Sequence, residues 1–281
     1  MTAAGVSNIT DAMRITVITP NFNGGRFLEE SVRSVHSQAC PGVEIEHIVM
    51  DGGSTDNSLK ILHQHRTGIT HLVSERDNGP ASAINKGLRL ATGDLIAWLN
   101  SDDVYEPGAL KRVADTMQAH SGKALCFGHC PIVNEEGIEI RRGITKFKEF
   151  FFPLSCRFTI QSINYISQPA MFFRRSAMES VGLLREELTC AWDYEYILRL
   201  WRQGGAVHVP GGPLARFRWH PKSLSGRGFV AQFQEELDAA IADAGRFSPQ
   251  ALLHRGVRLG IVSIYGLMAR RRKKSAASKG V

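Results

Sequence analysis

The chain has 281 residues, of which 43% are hydrophobic and 22% are charged, a composition typical of one large folded domain with a smaller appendage. The formal net charge of +7 comes from the C-terminal end, where nine basic residues and no acidic residue follow Asp243. This distribution leaves no excess of basic residues on the main body and argues against nucleic acid as a partner.

Strands and helices alternate through the N-terminal third of the chain, after a loose leader over residues 1–13. Apolar residues recur at helical spacing in the predicted helices, and β-branched residues are frequent in the predicted strands. The pattern predicts strands at 15–19, 45–50, 70–74 and 95–99, and helices at 27–38, 58–66 and 81–90. Short loops between such elements predict right-handed crossovers and a mostly parallel central sheet with helices on both faces.

Polar residues follow each of the four predicted strands. In an open parallel sheet the ligand lies outside the carboxyl ends of the strands, so these residues are the first candidates for a site. The positions concerned are Pro20 and Asn21, Asp51 to Gly53, Glu75 to Asp77, and Asp102 with Asp103.

The acidic pair of Asp102 and Asp103 follows an apolar run, residues 95–99, that suits a central strand covered on both faces. Two adjacent carboxylates are costly to bury together unless a cation joins them. One interpretation is that they hold a divalent metal and the phosphates of a nucleotide. The other is that one of them caps a helix that begins near Pro107. No glycine-rich phosphate loop follows the first strand, so a bound nucleotide would depend on the metal.

The second half of the chain predicts helices at 106–120, 175–181 and 192–203, and strands at 124–133, 137–140, 166–174, 206–210 and 215–219. Asp193 lies in the first turn of the helix at 192–203, where the helix dipole favours a carboxylate, so a structural role is open. The stretch 141–158 mixes basic residues with phenylalanines. Exposed, it would suit lipid headgroups, but burial statistics favour a loop that packs its aromatic rings into the core.

The C-terminal section differs in character from the rest. Before a basic cluster that runs from Arg270 to Lys274, apolar residues recur at helical spacing and form one face: Leu253, Val257, Ile261, Ile264 and Met268. This pattern predicts an amphipathic helix on an anionic membrane surface, and the alternative is an accessory helix packed on the domain. Unpaired cysteines, the absence of a signal-like segment and the absence of a long apolar run predict a cytoplasmic protein, peripheral on the membrane at most.

Six segments in fixed order carry a resemblance to a known family. The chain resembles the family 2 glycosyltransferases, which have the GT-A fold, a Rossmann-like α/β architecture. Each segment alone is weak evidence, but the ordered series covers residues 14–225. The segments are Ile18 to Asn23, Val49 to Asp56, Ser74 to Gly79, Asn85 to Gly87, Ala91 to Asp94 and Leu99 to Asp103.

Carried over position by position, the resemblance implies a nucleotide pocket at the strand ends. Pro20 and Asn21 would line this pocket, and Asp51 would accept a hydrogen bond from the base, which is most often uracil in this family. Arg76 would lie against the base or the phosphates. Asp102 would contact the ribose or the metal region.

The resemblance also implies a metal and a catalytic base. Asp103 and His220 would ligate a divalent cation, Mn²⁺ or Mg²⁺, and His220 would close over the diphosphate. Asp193 matches the acidic position at a helix start that supplies the base in this family. The chain departs from the family in two places here, since Trp192 replaces a frequent glutamate and Asn100 replaces a possible ligand.

The resemblance implies an inverting enzyme that transfers one sugar from a nucleotide diphosphate sugar, with a UDP-sugar favoured, to a saccharide or lipid-linked acceptor in cell-surface polysaccharide or glycolipid synthesis. The alternatives are an inactive nucleotide-binding module and a sugar nucleotidyltransferase. We expect a GT-A domain over residues 14–228 and a C-terminal helical extension over residues 229–281. The Gln-x-x-Arg-Trp motif of processive synthases is missing, which favours single addition.

Overall fold

The computed structural model describes residues 12–221, 223, 229–260 and 263. The strands in this part of the chain are β1 (Met13–Asn21), β2 (Val43–Asp51), β3 (His71–Ser74), β4 (Leu95–Trp98), β5 (Val104–Tyr105), β6 (Leu125–Phe127), β7 (Ile132–Val133), β8 (Glu139–Ile140), β9 (Met171–Arg174), β10 (Ala206–His208) and β11 (Ala215–Arg218).

The helices are α1 (Leu28–His36), α2 (Ser58–Gln64), α3 (Pro80–Leu90), α4 (Ala109–Ala119), α5 (Arg142–Glu149), α6 (Arg157–Ser162), α7 (Arg175–Val181), α8 (Trp192–Trp201) and α9 (Phe229–Ala244). A further helix, α10, includes residues 249–260. Short 3-10 turns lie at Arg66–Gly68 and Gln168–Ala170.

A seven-stranded sheet in the order β10-β6-β9-β4-β1-β2-β3 forms the centre of the protein. β1 pairs in parallel with β2 and β4, β2 pairs in parallel with β3, and β6 pairs in parallel with β10. Only β9 runs against its neighbours, β4 and β6. The sequence-based expectation of a mostly parallel sheet in an α/β fold is therefore confirmed.

Side chains of β4 explain the two-sided core. Leu95 and Ala97 face a cluster that includes α4, while Ile96 and Trp98 face a cluster that includes α3 and α8. All four side chains are fully buried. A strand that is apolar at every position therefore carries a layer of helices on each face, because alternate residues point to opposite sides.

A second, four-stranded sheet in the order β5-β11-β7-β8 was not expected from the sequence. The segment 124–133, expected to be one strand, is divided between β6 in the central sheet and β7 in the second sheet. The segment of β5 follows the acidic pair and pairs with β11. The helix that comes next, α4, has Gly108 at its N-cap, so neither aspartate caps it.

The stretch 141–158 forms α5 and α6 and is not one long loop as expected. Its aromatic residues divide into two groups. Phe152 is 8% exposed and packs in the core with the half-buried Phe151 against it, whereas Phe147, Phe150 and Phe158 are 47%, 66% and 45% exposed. The expectation that this stretch packs its phenylalanines into the core is therefore correct for Phe152 and wrong for these three.

The C-terminal helices pack on the main body. Ala239 and Ala240 of α9 belong to the largest core cluster, and Val257 of α10 packs against it. Leu253, expected on the same apolar face as Val257, is 50% exposed. The basic cluster from Arg270 to Lys274 lies outside the described residues. Within the described part of the chain, no helix has both the length and the apolar character to cross a bilayer.

Candidate functional site

The carboxyl ends of three neighbouring strands place a row of polar residues at one edge of the sheet. Asn21 of β1 is in register with Asp51 of β2, and Asp51 is in register with Ser74 of β3. β4 lies on the other side of β1, so the turn that follows it, residues 99–103, reaches the same edge. The strand ends that the sequence predicted to converge do lie together.

Asp51 is only 2% exposed, and both oxygens of its carboxylate accept hydrogen bonds. Oδ1 accepts from Asn21 Nδ2 at 2.7 Å and Ser54 Oγ at 2.5 Å, and Oδ2 accepts from Ser74 Oγ at 2.6 Å and the Ser54 amide at 3.0 Å. Burial raises the pKa of Asp51, but these hydrogen bonds outweigh it and hold the pKa below its ordinary value. The carboxylate is therefore ionised and fixed in orientation.

The loop after Asp51 is shaped by two glycines. Gly53 has a φ of +81°, which side-chain-bearing residues rarely adopt. A Cβ on Gly52 would lie 2.7 Å from Oδ2 of Asp77, so a side chain at this position would displace the Asp77 carboxylate. Arg76, in the loop after β3, is exposed, and Pro20 is buried near the end of β1.

The two adjacent aspartates have opposite environments. Asp103 is fully buried, with Oδ1 accepting from the Arg218 amide at 2.8 Å and Oδ2 accepting from Asn100 Nδ2 at 3.1 Å. Burial and the neighbouring Asp102 raise the pKa of Asp103 well above its ordinary value. Asp102 points outward and has a side chain that is 25% exposed.

His220 contacts the outward-facing carboxylate, with Nε2 3.0 Å from Oδ2 of Asp102. Its ring also lies near Phe27 of the loop after β1, with 5.5 Å between ring centroids. A carboxylate oxygen and an imidazole nitrogen so close together are ligands that suit Mn²⁺. Among the described residues no group of three or more ligating side chains is present, so a cation here would take its other ligands from a substrate or water.

Arg218, which the sequence did not indicate as a site residue, holds the acidic turn, residues 99–103, by hydrogen bonds. Its side chain is 2% exposed and its Nε donates to the carbonyl oxygen of Asp102 at 2.9 Å. The same guanidinium donates to Glu135 O at 2.8 Å and pairs with Glu30 at 2.6 Å. The only sequence signal for this role was its position two residues before His220.

Asp193 lies in the first turn of α8, as predicted, and is half-buried. Its Oδ1 accepts from the Tyr194 amide at 2.7 Å. Burial raises the pKa of Asp193, while that amide and the positive charge of Lys148 oppose the rise. The start of α8 lies beside the end of β4, because the rings of Trp192 and Trp98 are 5.7 Å apart between centroids.

Polar side chains lie between the acidic turn and this part of α8. Asn100, which bonds Asp103, also contacts Oε1 of Gln168 at 3.4 Å. Gln168 donates to the carbonyl of Trp98 at 2.7 Å, and Lys148 donates to the neighbouring Ser167 at 3.3 Å. Lys148 is a cation whose charge acts on Asp193.

The sequence model described as glycosyl transferase family 2 matches residues 16–182, more than half of the chain. The chain belongs to glycosyltransferase family 2. The matched range contains the strand-end residues from Pro20 to Asp103, whereas Asp193 and His220 follow it.

Two curated relatives illustrate the range of this glycosyltransferase family. An uncharacterized glycosyltransferase of Mycobacterium tuberculosis is 33% identical over 193 residues, which are 68% of this chain and 70% of that protein. Chondroitin synthase of Escherichia coli is 26% identical over 197 residues, which are 69% of this chain but only 27% of that protein.

Solved structures show the same fold. TarS of Staphylococcus aureus in complex with UDP superposes with a TM-score of 0.64 at 19% identity, covering 86% of this chain and 68% of that one. The mannosyltransferase PcManGT of Pyrobaculum calidifontis in complex with GDP-Man and Mn²⁺ superposes with a TM-score of 0.62 at 16% identity, covering 94% and 81%. The GT-A fold expected from the sequence is therefore confirmed.

Proposed function

We propose that this family 2 glycosyltransferase transfers a single sugar from a nucleotide diphosphate sugar, with a UDP-sugar favoured, to a hydroxyl group of a saccharide or lipid-linked acceptor, with inversion. The observation that carries the proposal is the shared sheet edge. There the fixed carboxylate of Asp51 lies at a strand end near the turn that contains Asp102, and Asp102 contacts His220. TarS has been solved with UDP and with UDP-GlcNAc, which supports the choice of donor.

The donor would lie along the carboxyl edge. The base would lie in a pocket lined by Pro20 and Asn21 and would donate a hydrogen bond to Asp51. The ionised carboxylate of Asp51 is held in place by Ser54 and Ser74. The exposed guanidinium of Arg76 would lie against the base or the diphosphate, since it can donate to phosphate oxygens in pairs.

A divalent cation, Mn²⁺ or Mg²⁺, fits the donor atoms at the acidic turn. The sequence assigned the metal to Asp103 and His220 and the ribose region to Asp102. The exposure of the two aspartates favours a different division, in which Asp102 and His220 hold the cation and Asp103 keeps the turn in shape from below. When bound, the cation would neutralise the charge that develops on the diphosphate leaving group.

Asp193 would be the general base. Burial raises its pKa, and a carboxylate of raised basicity at the entrance to α8 can accept the proton of an attacking hydroxyl. Attack from the side opposite the diphosphate would invert the anomeric configuration. The position of Asp193 near the end of β4 supports this role, since both lie at the carboxyl side of the sheet.

Turnover of a panel of nucleotide sugars with Mn²⁺, followed by detection of the released product, tests the reaction. A transferase releases a nucleoside diphosphate such as UDP, whereas a nucleotidyltransferase releases pyrophosphate. The loop after β1 has no lysine to handle a triphosphate, which favours the transferase. Binding without either product would indicate an inactive nucleotide-binding module.

Variants of the acidic turn and of the base give the first prediction. Asp102→Asn and His220→Ala should lower the affinity for UDP with Mn²⁺ but leave binding of UDP with EDTA nearly unchanged.

Asp193→Asn should bind UDP normally and lose about 10²- to 10⁴-fold in kcat, the range typical of general base catalysis. Asp115→Asn, at an exposed carboxylate of α4 that pairs with Lys111, is the control. Full turnover by Asp193→Asn would remove the base from the proposal.

We propose that the C-terminal basic cluster, Arg270 to Lys274, binds an anionic membrane surface; this cluster lies outside the described residues. Sedimentation of the full chain with phosphatidylglycerol vesicles, compared with a variant in which Arg270 to Lys274 are replaced by serine, tests this prediction. Loss of sedimentation in the variant is the expected result, because clustered cations supply about 1 kcal/mol each near an anionic surface.

A further inference from the structure

Helix α9 carries a glutamate that binds the segment immediately before the helix of the proposed base. Oε1 of Glu235 accepts from the Thr189 hydroxyl at 2.6 Å and the Thr189 amide at 3.1 Å. Oε2 accepts from the Cys190 amide at 2.8 Å and the Ala191 amide at 2.9 Å. One carboxylate therefore satisfies four donors from three consecutive residues.

These donors lie at the N-terminus of α8, in residues 189–191. Ala191 is the N-cap residue of α8 and has no side chain that can cap it, so an acceptor must come from elsewhere. A negative charge near a helix N-terminus is also favoured by the helix dipole. Burial raises the pKa of Glu235, but the hydrogen bonds from residues 189–191 outweigh it and keep the pKa below its ordinary value.

The helix that supplies Glu235 is itself held at its far end. Asp243, one residue before the end of α9, accepts from Arg157 Nη2 at 2.8 Å and Gln161 Nε2 at 2.7 Å, both on α6. Leu237 and Ala240 of α9 are buried on the body of the protein. Glu235 is therefore presented to α8 from an element that is fixed at several points.

We propose that Glu235 is a positioning residue for Asp193: by holding residues 189–191 it fixes the first turn of α8, and with it the carboxylate that accepts the acceptor's proton. This inference rests on the proposed role of Asp193 as the base. Asp193 is two residues beyond the last amide that Glu235 binds, so rotation or fraying of the entrance moves its carboxylate directly. Glu235 touches neither donor nor acceptor in this assignment.

The inference extends the catalytic unit beyond the segment that the family model covers. That model ends at residue 182, and both α8 and α9 follow it. A C-terminal helix that looked like an appendage in the sequence would then contribute to the rate of transfer without binding the donor. Misplacement of a catalytic group by about 1 Å is enough to cost up to 10²-fold in rate.

The experiment compares Glu235→Gln and Glu235→Ala with Asp238→Asn in the full chain. Asp238 lies on the same helix, is exposed, and accepts a hydrogen bond from Gln234 of its own helix. The measurements are kcat and donor KM, affinity for UDP with Mn²⁺, and hydrogen exchange of the amides of residues 189–195. Glu235→Asp tests for partial rescue, because it retains both oxygens on a shorter side chain.

We expect Glu235→Gln to lower kcat by about 10- to 100-fold while donor KM and UDP affinity stay close to the parent values. Amides within residues 189–191 should exchange faster in this variant, because glutamine has one acceptor oxygen where the carboxylate has two and its NH2 group cannot accept from an amide. Glu235→Asp should recover part of the rate, and Asp238→Asn should match the parent in every measurement.

Normal kcat in Glu235→Gln beside an inactive Asp193→Asn would overturn the positioning role and leave the proposed function intact. Unchanged exchange at residues 189–191 in both Glu235 variants would also overturn it. Equal losses of kcat and UDP affinity would point to general destabilisation and count against it. Full turnover by Asp193→Asn would instead contradict the role of Asp193 as the base. The two failures are distinguishable because this one is measured on Asp193→Asn and not on a Glu235 variant.

Discussion

At the scale of single residues, the acidic turn shows how two identical neighbours take different roles. The carboxylate of Asp103 is buried because the amide of Arg218 and the side chain of Asn100 both donate to it. Asp102, one residue earlier, is left to face solvent and His220. A cation can reach the outward carboxylate from solvent, where it would replace the hydrogen bond between Asp102 and His220 and leave those of Asp103 intact.

A second carboxylate pair lies at the start of α8. Glu236 of α9 is 5% exposed, and its Oε1 accepts from Gln232 at 3.2 Å and Asn164 at 3.3 Å. Burial and the charge of Asp193 raise the pKa of Glu236 to about 7, and Lys148 only partly opposes them. The charge of Glu236 also contributes to raising the pKa of the buried Tyr194 and of the half-buried Cys190.

The raised pKa of Glu236 predicts a pH-dependent loss of stability. The folded state binds this proton more tightly than the unfolded state, so stability is fully present below pH 4.5 and declines as the pH rises towards about 7. Glu236→Gln cannot ionise, and its Oε1 can still accept from Asn164. We expect the variant to gain stability relative to the parent as the pH rises, by at most about 3 kcal/mol at pH 8.

Urea unfolding of the parent and of Glu236→Gln at pH 5 and pH 8 measures this difference. The matched control is Glu187→Gln, at an exposed carboxylate that lies in the loop before α8. A difference between Glu236→Gln and the parent that is the same at both pH values would contradict the prediction, because it would not depend on ionisation.

Residue types and motif order were enough to predict the strand-end positions, including Asn21, Asp51 and the acidic pair. They could not predict which aspartate of the pair points inward. That choice depends on the amide of Arg218, which lies 115 residues further along the chain. Contacts over such distances, like those of Glu235 with residues 189–191, leave no local pattern in the sequence.

At the scale of elements, the second sheet joins the acidic turn to the late part of the chain. β5 follows the acidic turn directly and pairs with β11, and β11 ends in Arg218. Strand β11 therefore brings both Arg218 and, two residues later, His220 to Asp102. The short length of β5, β7 and β8 explains why their pairing could not be predicted, since strands of two residues carry no recognisable alternation.

Arg218→Met tests whether β11 organises the acidic turn. The carbonyl oxygens of Asp102 and Glu135 would each lose a charged donor, so we expect the free energy of unfolding to fall by about 2–4 kcal/mol. Arg216→Met on the same strand, where Arg216 is 33% exposed and pairs with Glu106, should cost at most about 1 kcal/mol.

Affinity for UDP with Mn²⁺ completes this comparison. At a temperature where both variants are folded, Arg218→Met should bind more weakly than Arg216→Met, because Asp102 is no longer held against His220. Equal affinities in the two folded variants would show that β11 supports the fold but does not set the geometry of the acidic turn.

At the scale of the whole molecule, the C-terminal helices complete the core around α8. Regular elements such as α1, α3 and α8 were predicted because their apolar residues recur at helical spacing. The packing of α9 was not predicted, because the sequence indicated only a helical extension over residues 229–281. Ala239 and Ala240 of α9 belong to the largest core cluster, so this helix packs on the protein.

Truncation at two positions tests how far the folded unit extends. A chain that ends at residue 228 lacks α9, so the core residues of α8 lose their cover and Arg157 loses its partner Asp243. We expect this chain to unfold at markedly lower urea concentration than the parent and to lose UDP binding. A chain that ends at residue 260 keeps α9 and the contact of His254 with Gln161 O, and should unfold like the parent. If the chain ending at residue 228 unfolds cooperatively with an unchanged midpoint, residues 14–228 are self-sufficient, and α9 is an appendage whose contacts with α8 do not stabilise the fold.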